Sequence, residues 1–212
     1  MYVVSNCFNW IGFHFLQKIL NNSEEVVGLD QISTDKEENL YLSVGRNSLF
    51  THVTSKRDLK KEINSKQVDV VFDLMDSDEL LADEEFHADN WVQFKNEIAK
   101  DNTNNLIHVE LPLLYGEWMP RDNNGIFHTR NYIKFDSETF ENEAIYIDDF
   151  VDAMWQILSS RKKPEKIKFK SLRKEGRDEK DPAQVLYIRE KERMETRLLN
   201  LNNHFEQFSK FY

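Results

Sequence analysis

The chain has 212 residues, a formal net charge of −10 and a mean hydropathy of −0.67. That length supports one sizeable core with room for a small appended lobe, and the acidic balance argues against nucleic acid as a partner. The sequence has no run of eighteen apolar residues and no charged start leading into a long apolar stretch, so it predicts neither a membrane span nor a signal peptide; the single cysteine, Cys7, excludes an internal disulfide and fits a reducing, cytoplasmic setting.

In chain order, a short apolar run from Tyr2 to Val4 predicts a buried strand. Ile11, Phe15, Ile19 and Leu20 then recur at helical spacing, and a second strand, Val26 to Leu29, ends at the acid Asp30. Strand, turn, helix, strand and terminal acid form the layout of a dinucleotide-binding unit. The turn offers Asn6, Asn9 and Gly12 where the pattern G-x-x-G-x-x-G has three glycines. The first position needs a tight turn that Asn tolerates, the second must be bare so that backbone can approach a diphosphate, and the third lets helix and strand pack closely. Gly12 keeps the structural role, while Asn9 puts an amide where the ligand would come closest.

Farther on, Tyr41–Val44 and Leu49–Val53 read as short strands, and Leu59–Ile63 as a helix capped by Thr54 or Ser55. Val68–Leu74 reads as a buried parallel strand. Residues 76–101 read as one long helix, with Asp76 and Glu79 as a capping box and Leu81, Ala88, Val92 and Ala99 on one face. Leu106–Leu111 is a strand stopped by Pro112, a further strand is expected near Tyr132–Phe135, and Ala144–Ile147 is extended. Asp148 or Asp149 caps a helix through Ser160, and Lys166–Phe169 can form a last strand. Asp181-Pro182 opens a helix to about Phe208 whose seam is Met194, Leu198, Leu201, Phe205 and Phe208. Residues 161–212 carry a net +6 and the rest −16, so this tail can meet an acidic protein partner, a second copy, or its own body. Glu84-x-x-His87 occurs once, with no second supplier, which predicts no metal site.

Five stretches, in the same order, resemble the NAD-dependent epimerase/dehydratase family, the extended short-chain dehydrogenase/reductases. Val3–His14 resembles that family's opening strand and glycine turn, Val26–Asp30 its second strand and ribose-binding acid, and Val68–Leu74 its fourth strand. Leu111–Gly116 resembles its R-x-x-x-V-Y-G exit, and Ala144–Ala153 its Y-V-D-D-V-V-D-A stretch. The resemblance covers roughly residues 1–170 and implies a Rossmann-like, doubly wound parallel sheet. Residues 171–212 are a basic linker and C-terminal helical extension without counterpart.

It also implies a catalytic Ser at the end of a fifth strand, followed by a Tyr-x-x-x-Lys helix, and NAD(P) as cofactor. Trp91–Lys95 reads as that helix, with Lys95 kept and Trp91 at the Tyr position; an indole N–H cannot exchange a proton near neutral pH. The interval from Leu74 to Trp91 is too short for another helix and strand, so the sheet is read as shortened by one crossover, with the Ser lost. Asn6, Asn9, Trp10, Ile11, Gly12 and Asp30 would line a vestigial cofactor site holding NAD(P) weakly or not at all. The expectation is a catalytically degenerate protein acting as a binding or regulatory module. The alternative is an NAD(P)-binding oxidoreductase, epimerase or nucleotide sensor acting on a nucleotide-sugar-type substrate.

Overall fold

A computed structural model describes residues 1–64, 66–75, 80, 86–94, 105–128, 131–173 and 184–212. The chain divides into two compact units, Met1–Val109 and Glu110–Tyr212, where the sequence draws its line near residue 170.

The first unit runs β1 (Tyr2–Ser5), α1 (Trp10–Asn21), β2 (Val26–Leu29), α2 (Asp35–Val44), β3 (Phe50–Val53), α3 (Lys56–Ile63), β4 (Val70–Asp73), β5 (Asn90–Phe94) and β6 (Leu106–Glu110). Its strands lie in the order β6-β5-β4-β1-β2-β3, every neighbouring pair whose register is defined being parallel. This is the strand order of a doubly wound dinucleotide-binding sheet, as the resemblance implies. Successive residues of the central strands are buried on both faces, so their sequences are continuous apolar runs without alternation. Val3, Val27, Val71 and Trp91 share one cluster with Leu59, while Phe15 of α1 stacks on Phe72 at 4.5 Å and tilts against Phe94 at 5.2 Å.

Two segments of this unit depart from the sequence expectation. Tyr41–Val44 is the end of α2, not a strand: Thr34 and Glu37 form a reciprocal capping box, and the buried Leu40 and Val44 are one helical turn apart. Residues 90–94, expected inside a long helix, form β5, paired with β4 and β6. Asn-Trp-Val-Gln-Phe is buried at four of its five positions, and a strand buried on both faces has no period with which to betray itself. The capping box at Asp76 and Glu79, and Leu81, Glu84, Lys95 and Ala99, lie outside the described residues.

The fifth strand is therefore present, and the short interval is the next one. Sixteen positions separate Asp73 from Asn90, but only eleven, 95–105, separate Phe94 from Leu106. A parallel crossover needs at least about ten to twelve residues including its helix.

The second unit runs β7 (Leu114–Tyr115), β8 (Gly125–His128), β9 (Asn131–Lys134), α4 (Glu138–Glu143), β10 (Ile145–Tyr146), α5 (Ile147–Leu158), β11 (Lys166–Ser171), β12 (Gln184–Ile188), α6 (Met194–Phe208) and a final turn of 3-10 helix, Ser209–Phe211. β7 pairs with β10 and β11 with β12, both parallel; β8 and β9 form an antiparallel hairpin. α5 starts at Ile147 after Tyr146, with no side-chain cap from Asp148 or Asp149. Val185 to Ile188, expected in the C-terminal helix, instead continue the edge beside β11, as their β-branched and aromatic side chains favour. The predicted start at Pro182 lies outside the described residues, and α6 begins at Met194. Its apolar seam faces its own unit: Leu201 is fully buried, Phe205 lies against the Arg121 guanidinium, and Phe208 against Trp118. No described helix is long and apolar enough to cross a membrane.

Candidate functional site

The site expected from the sequence lies in the first unit, where β1 enters α1. Asn6 adopts φ +52°, the left-handed conformation that a tight turn needs and Asn tolerates. Its backbone N–H donates to Leu29 O at 2.8 Å, which ties the turn to β2. A Cβ on Gly12 would stand 2.4 Å from Asn6 O and 3.2 Å from Cys7 Cα, so only glycine lets α1 approach the turn this closely. The first and third positions of the pattern thus keep their backbone roles.

The second position does something else. Asn9 is the N-cap of α1, and its Oδ1 accepts the Ile11 N–H at 3.0 Å. Helix N-termini attract anions through N–H groups left without intrahelical partners. Here the chain supplies its own acceptor, on the exposed side of the turn where a diphosphate would rest. Trp10 and Ile11 are the first residues of α1; Ile11 contributes its backbone N–H to this cap, and Trp10 packs edge-on to His14 at 6.4 Å.

Asp30 stands beyond β2, with Oδ2 accepting the Phe8 N–H and Oδ1 the Gln31 N–H, each at 2.8 Å. Burial pushes its carboxyl above the usual range, against the pull of these two donors. Each oxygen has a second lone-pair site, so two backbone bonds leave the carboxylate able to accept a ribose hydroxyl. Beside it a cavity of about 420 Å³ is lined by Asn6, Leu29, Asp30, Gln31, Lys56 and Met75, among others. Phe8, His52 and Tyr41 form an aromatic cluster beneath, and His52 Nε2 lies 3.0 Å from Asp30 O. Cys7 is fully buried and burial pushes its thiol well up, which makes it a small apolar filler and not a reactive thiol.

One pair at this end of the sheet escapes sequence reasoning. Ser5 Oγ donates to the buried Asp73 Oδ1 at 2.7 Å and accepts the Leu74 N–H at 3.0 Å, joining the ends of β1 and β4. An acid inside the apolar run 68–74 is the signal that marks it.

Trp91 is not at a tyrosine position. It is a core residue of β5, 7% exposed, with its ring 5.2 Å from Phe86. A Tyr-x-x-x-Lys helix would follow the fifth strand, and the sequence from Lys95 to Asn105 contains no tyrosine. Lys95 itself lies outside the described residues. Among the described residues, no group of three or more His, Cys, Asp or Glu is placed to hold a metal ion.

The two late family-like stretches meet in the second unit, where β7 pairs with β10. Tyr115 is fully buried and its hydroxyl reaches Glu190 at 3.4 Å. The Tyr146 hydroxyl lies 2.8 Å from both carboxylate oxygens of Glu117, and Arg197 of α6 covers the Tyr146 ring at 3.7 Å while pairing with Asp149 at 3.3 Å. Burial first, and then the facing carboxylates, push both phenols far above their ordinary value. A phenol held protonated in this way is a hydrogen-bond donor and not an acid/base ready near neutral pH.

Neither a family model nor a curated protein matches the sequence. Similarity is found in structure. The chain is similar to a dTDP-glucose 4,6-dehydratase from Bacillus anthracis in complex with NAD, with 10% identity over 100% of this chain and 98% of that one, TM-score 0.65. It is similar to a UDP-glucose 4-epimerase from Thermotoga maritima with UDP-glucose, with 13% identity over 97% and 98%, TM-score 0.58. It is also similar to the yeast methylglyoxal/isovaleraldehyde reductase Gre2 complexed with NADPH, with 12% identity over 99% and 100%, TM-score 0.56. At this identity the likeness is one of fold, and it agrees with the family resemblance carried by the five stretches.

Proposed function

We propose that this chain uses an epimerase/dehydratase-type Rossmann scaffold for binding or regulation and not for hydride chemistry. The observation that carries this reading is the side chain of Asn9, which caps α1 at the point where a dinucleotide would place its diphosphate. The absence of tyrosine between β5 and β6 supports it independently, since a missing positioned acid/base costs on the order of 10²–10⁴ in rate.

A second reading keeps NAD(P) binding, as an oxidoreductase, epimerase or nucleotide sensor. Asp30 and the cavity beside it favour that reading, because the ribose end retains both an acceptor and space. Calorimetric titration with NAD⁺, NADH, NADP⁺ and NADPH separates the two. The first reading expects dissociation constants weaker than ~1 mM for all four. Micromolar binding would overturn it as to the cofactor, and turnover of a nucleotide-sugar by the loaded protein would overturn it entirely.

A further inference from the structure

The β8–β9 hairpin of the second unit carries two large aromatic side chains on its outer face. Gly125 pairs with Lys134 and Phe127 with Tyr132, so these four share one face, while Ile126 and Ile133 share the other. Ile126 is buried, whereas Phe127 is 53% and Tyr132 41% exposed. The exposed rings are nevertheless held in place. A Cβ on Gly125 would stand 2.8 Å from Tyr132 Cζ, so the glycine lets the ring lie across the ribbon. The Tyr132 hydroxyl donates to Asp122 Oδ1 at 2.7 Å, and Asp122 is itself fixed by the N–H groups of Asn124 and Gly125. Phe127 stands beside this ring at 5.2 Å with a 52° tilt.

These rings border a cavity of about 820 Å³, the size of a small-ligand site. Its other walls are mixed: Asn123, Asn124, Asp136 and, from α6, Asn202 bring polar groups, and Phe135 and Leu198 bring apolar ones. The Asn202 Oδ1 accepts from Arg121 Nη2 at 2.7 Å, which fixes the amide and leaves its NH₂ end as donor. We infer that this cavity binds a neutral sugar, stacked by its C–H face on Phe127 and Tyr132 and hydrogen-bonded by the surrounding amides. Ring faces are negative and attract the polarised C–H groups of a pyranose, while amides supply both donors and acceptors for hydroxyls. Two carboxylates, Asp122 and Asp136, against one ammonium, Lys134, disfavour a phosphorylated ligand. Charged residues are depleted at the centre of protein interfaces, and Asp122, Lys134 and Asp136 stand here beside the rings, which disfavours a protein partner.

Saturation-transfer NMR on the full chain tests this, with maltose, cellobiose, glucose and glucose 6-phosphate as probes. Transfer to the ring C–H protons of maltose or cellobiose is expected at ~10 mM sugar, as suits the weak affinity of an open site. Phe127→Ala should weaken binding at least ~10-fold, because the ring makes the stacking contact and is half exposed, so that its loss leaves the fold standing. Tyr132→Phe keeps the ring, should lose less, and serves as a second variant. Absence of transfer to maltose and cellobiose, undiminished transfer with Phe127→Ala, or tighter binding of glucose 6-phosphate than of glucose would each overturn the proposal. So would sedimentation showing that Phe127→Ala dissolves a dimer, since the rings would then serve a second copy.

Discussion

Two regions of this molecule retain family-like residues and use them differently. In the turn of the first unit, the backbone requirements survive at Asn6 and Gly12, while the ligand-facing position holds Asn9, whose side chain is spent on the helix itself. In the second unit, Tyr115 and Tyr146 survive as whole side chains, and both are packed into the interior against Glu190, Glu117 and Arg197. The difference teaches what retention means here. The positions that match the family pattern are those where the fold needs geometry or bulk, and the one that departs from it is one that a ligand alone would require to be bare. Gly12 and Tyr115 belong to the first kind, and the bare second glycine to the other.

The comparison breaks if Gly12 proves dispensable. With Asn6 O only 2.4 Å from a new Cβ, Gly12→Ala must push α1 off β1 or distort the turn. Overpacking of this kind costs ~1–3 kcal/mol, and here the obstacle is backbone that cannot rotate away, so the upper end is expected. Denaturant unfolding measures it, as a lowered midpoint with unchanged slope. A variant as stable as the parent would mean that the retained glycine is not structural.

The second region is tested through Arg197 of α6, in the stretch that the sequence leaves without counterpart and that the structural matches nevertheless cover. Its guanidinium covers Tyr146 and pairs with Asp149, whose side chain is 1% exposed. Arg197→Met strands a buried carboxylate, at a cost of ~3 kcal/mol at neutral pH. Burial already holds the Asp149 carboxyl above its ordinary value, with Arg197 pulling it down. Folded protein therefore binds more protons than unfolded between the ordinary and the raised value. The stability from this group is present below that window and is lost as pH rises through it. Removing Arg197 extends the window upward, so the variant's deficit should be smaller at about pH 5 than at neutral pH. Midpoints measured at both values check this; a deficit that does not shrink on acidification would mean that Arg197 does not govern the charge on Asp149.

The same contrast explains what could be read in advance. The first three strands and α1 were legible because a buried parallel sheet writes apolar runs separated by turns, and Gly12 because its position leaves no room for a side chain. β5 was not legible: Trp91, Val92 and Phe94 are apolar at positions that suit a helix as well as a doubly buried strand, and only pairing with β4 and β6 decides between them. With residues 90–94 in a strand, the short crossover falls between β5 and β6 and Trp91 holds no tyrosine position. That a side chain occupies position 9 could be read from residue type, but its capping bond could not, since that depends on where α1 begins. The Tyr146–Arg197 contact joins residues 51 positions apart and leaves no local trace.

Asn9→Gly gives the smallest change in stability and sharpens the comparison most. Glycine is itself an acceptable N-cap, so exchanging Asn for it costs only a few tenths of a kcal/mol. The exchange withdraws the acceptor from the Ile11 N–H and clears the second position of the turn, while Asp30 and its cavity stay as they are. If the side chain is what excludes a diphosphate, NAD⁺ and ADP-ribose should each bind at least ~10-fold more tightly to the variant, whereas adenosine, which has no phosphate, should bind both proteins alike. An equal gain for all three would locate the obstruction at the ribose end. No gain for any would mean that the turn was never the barrier, and that a ligand, if one binds, enters this cleft without using the helix terminus.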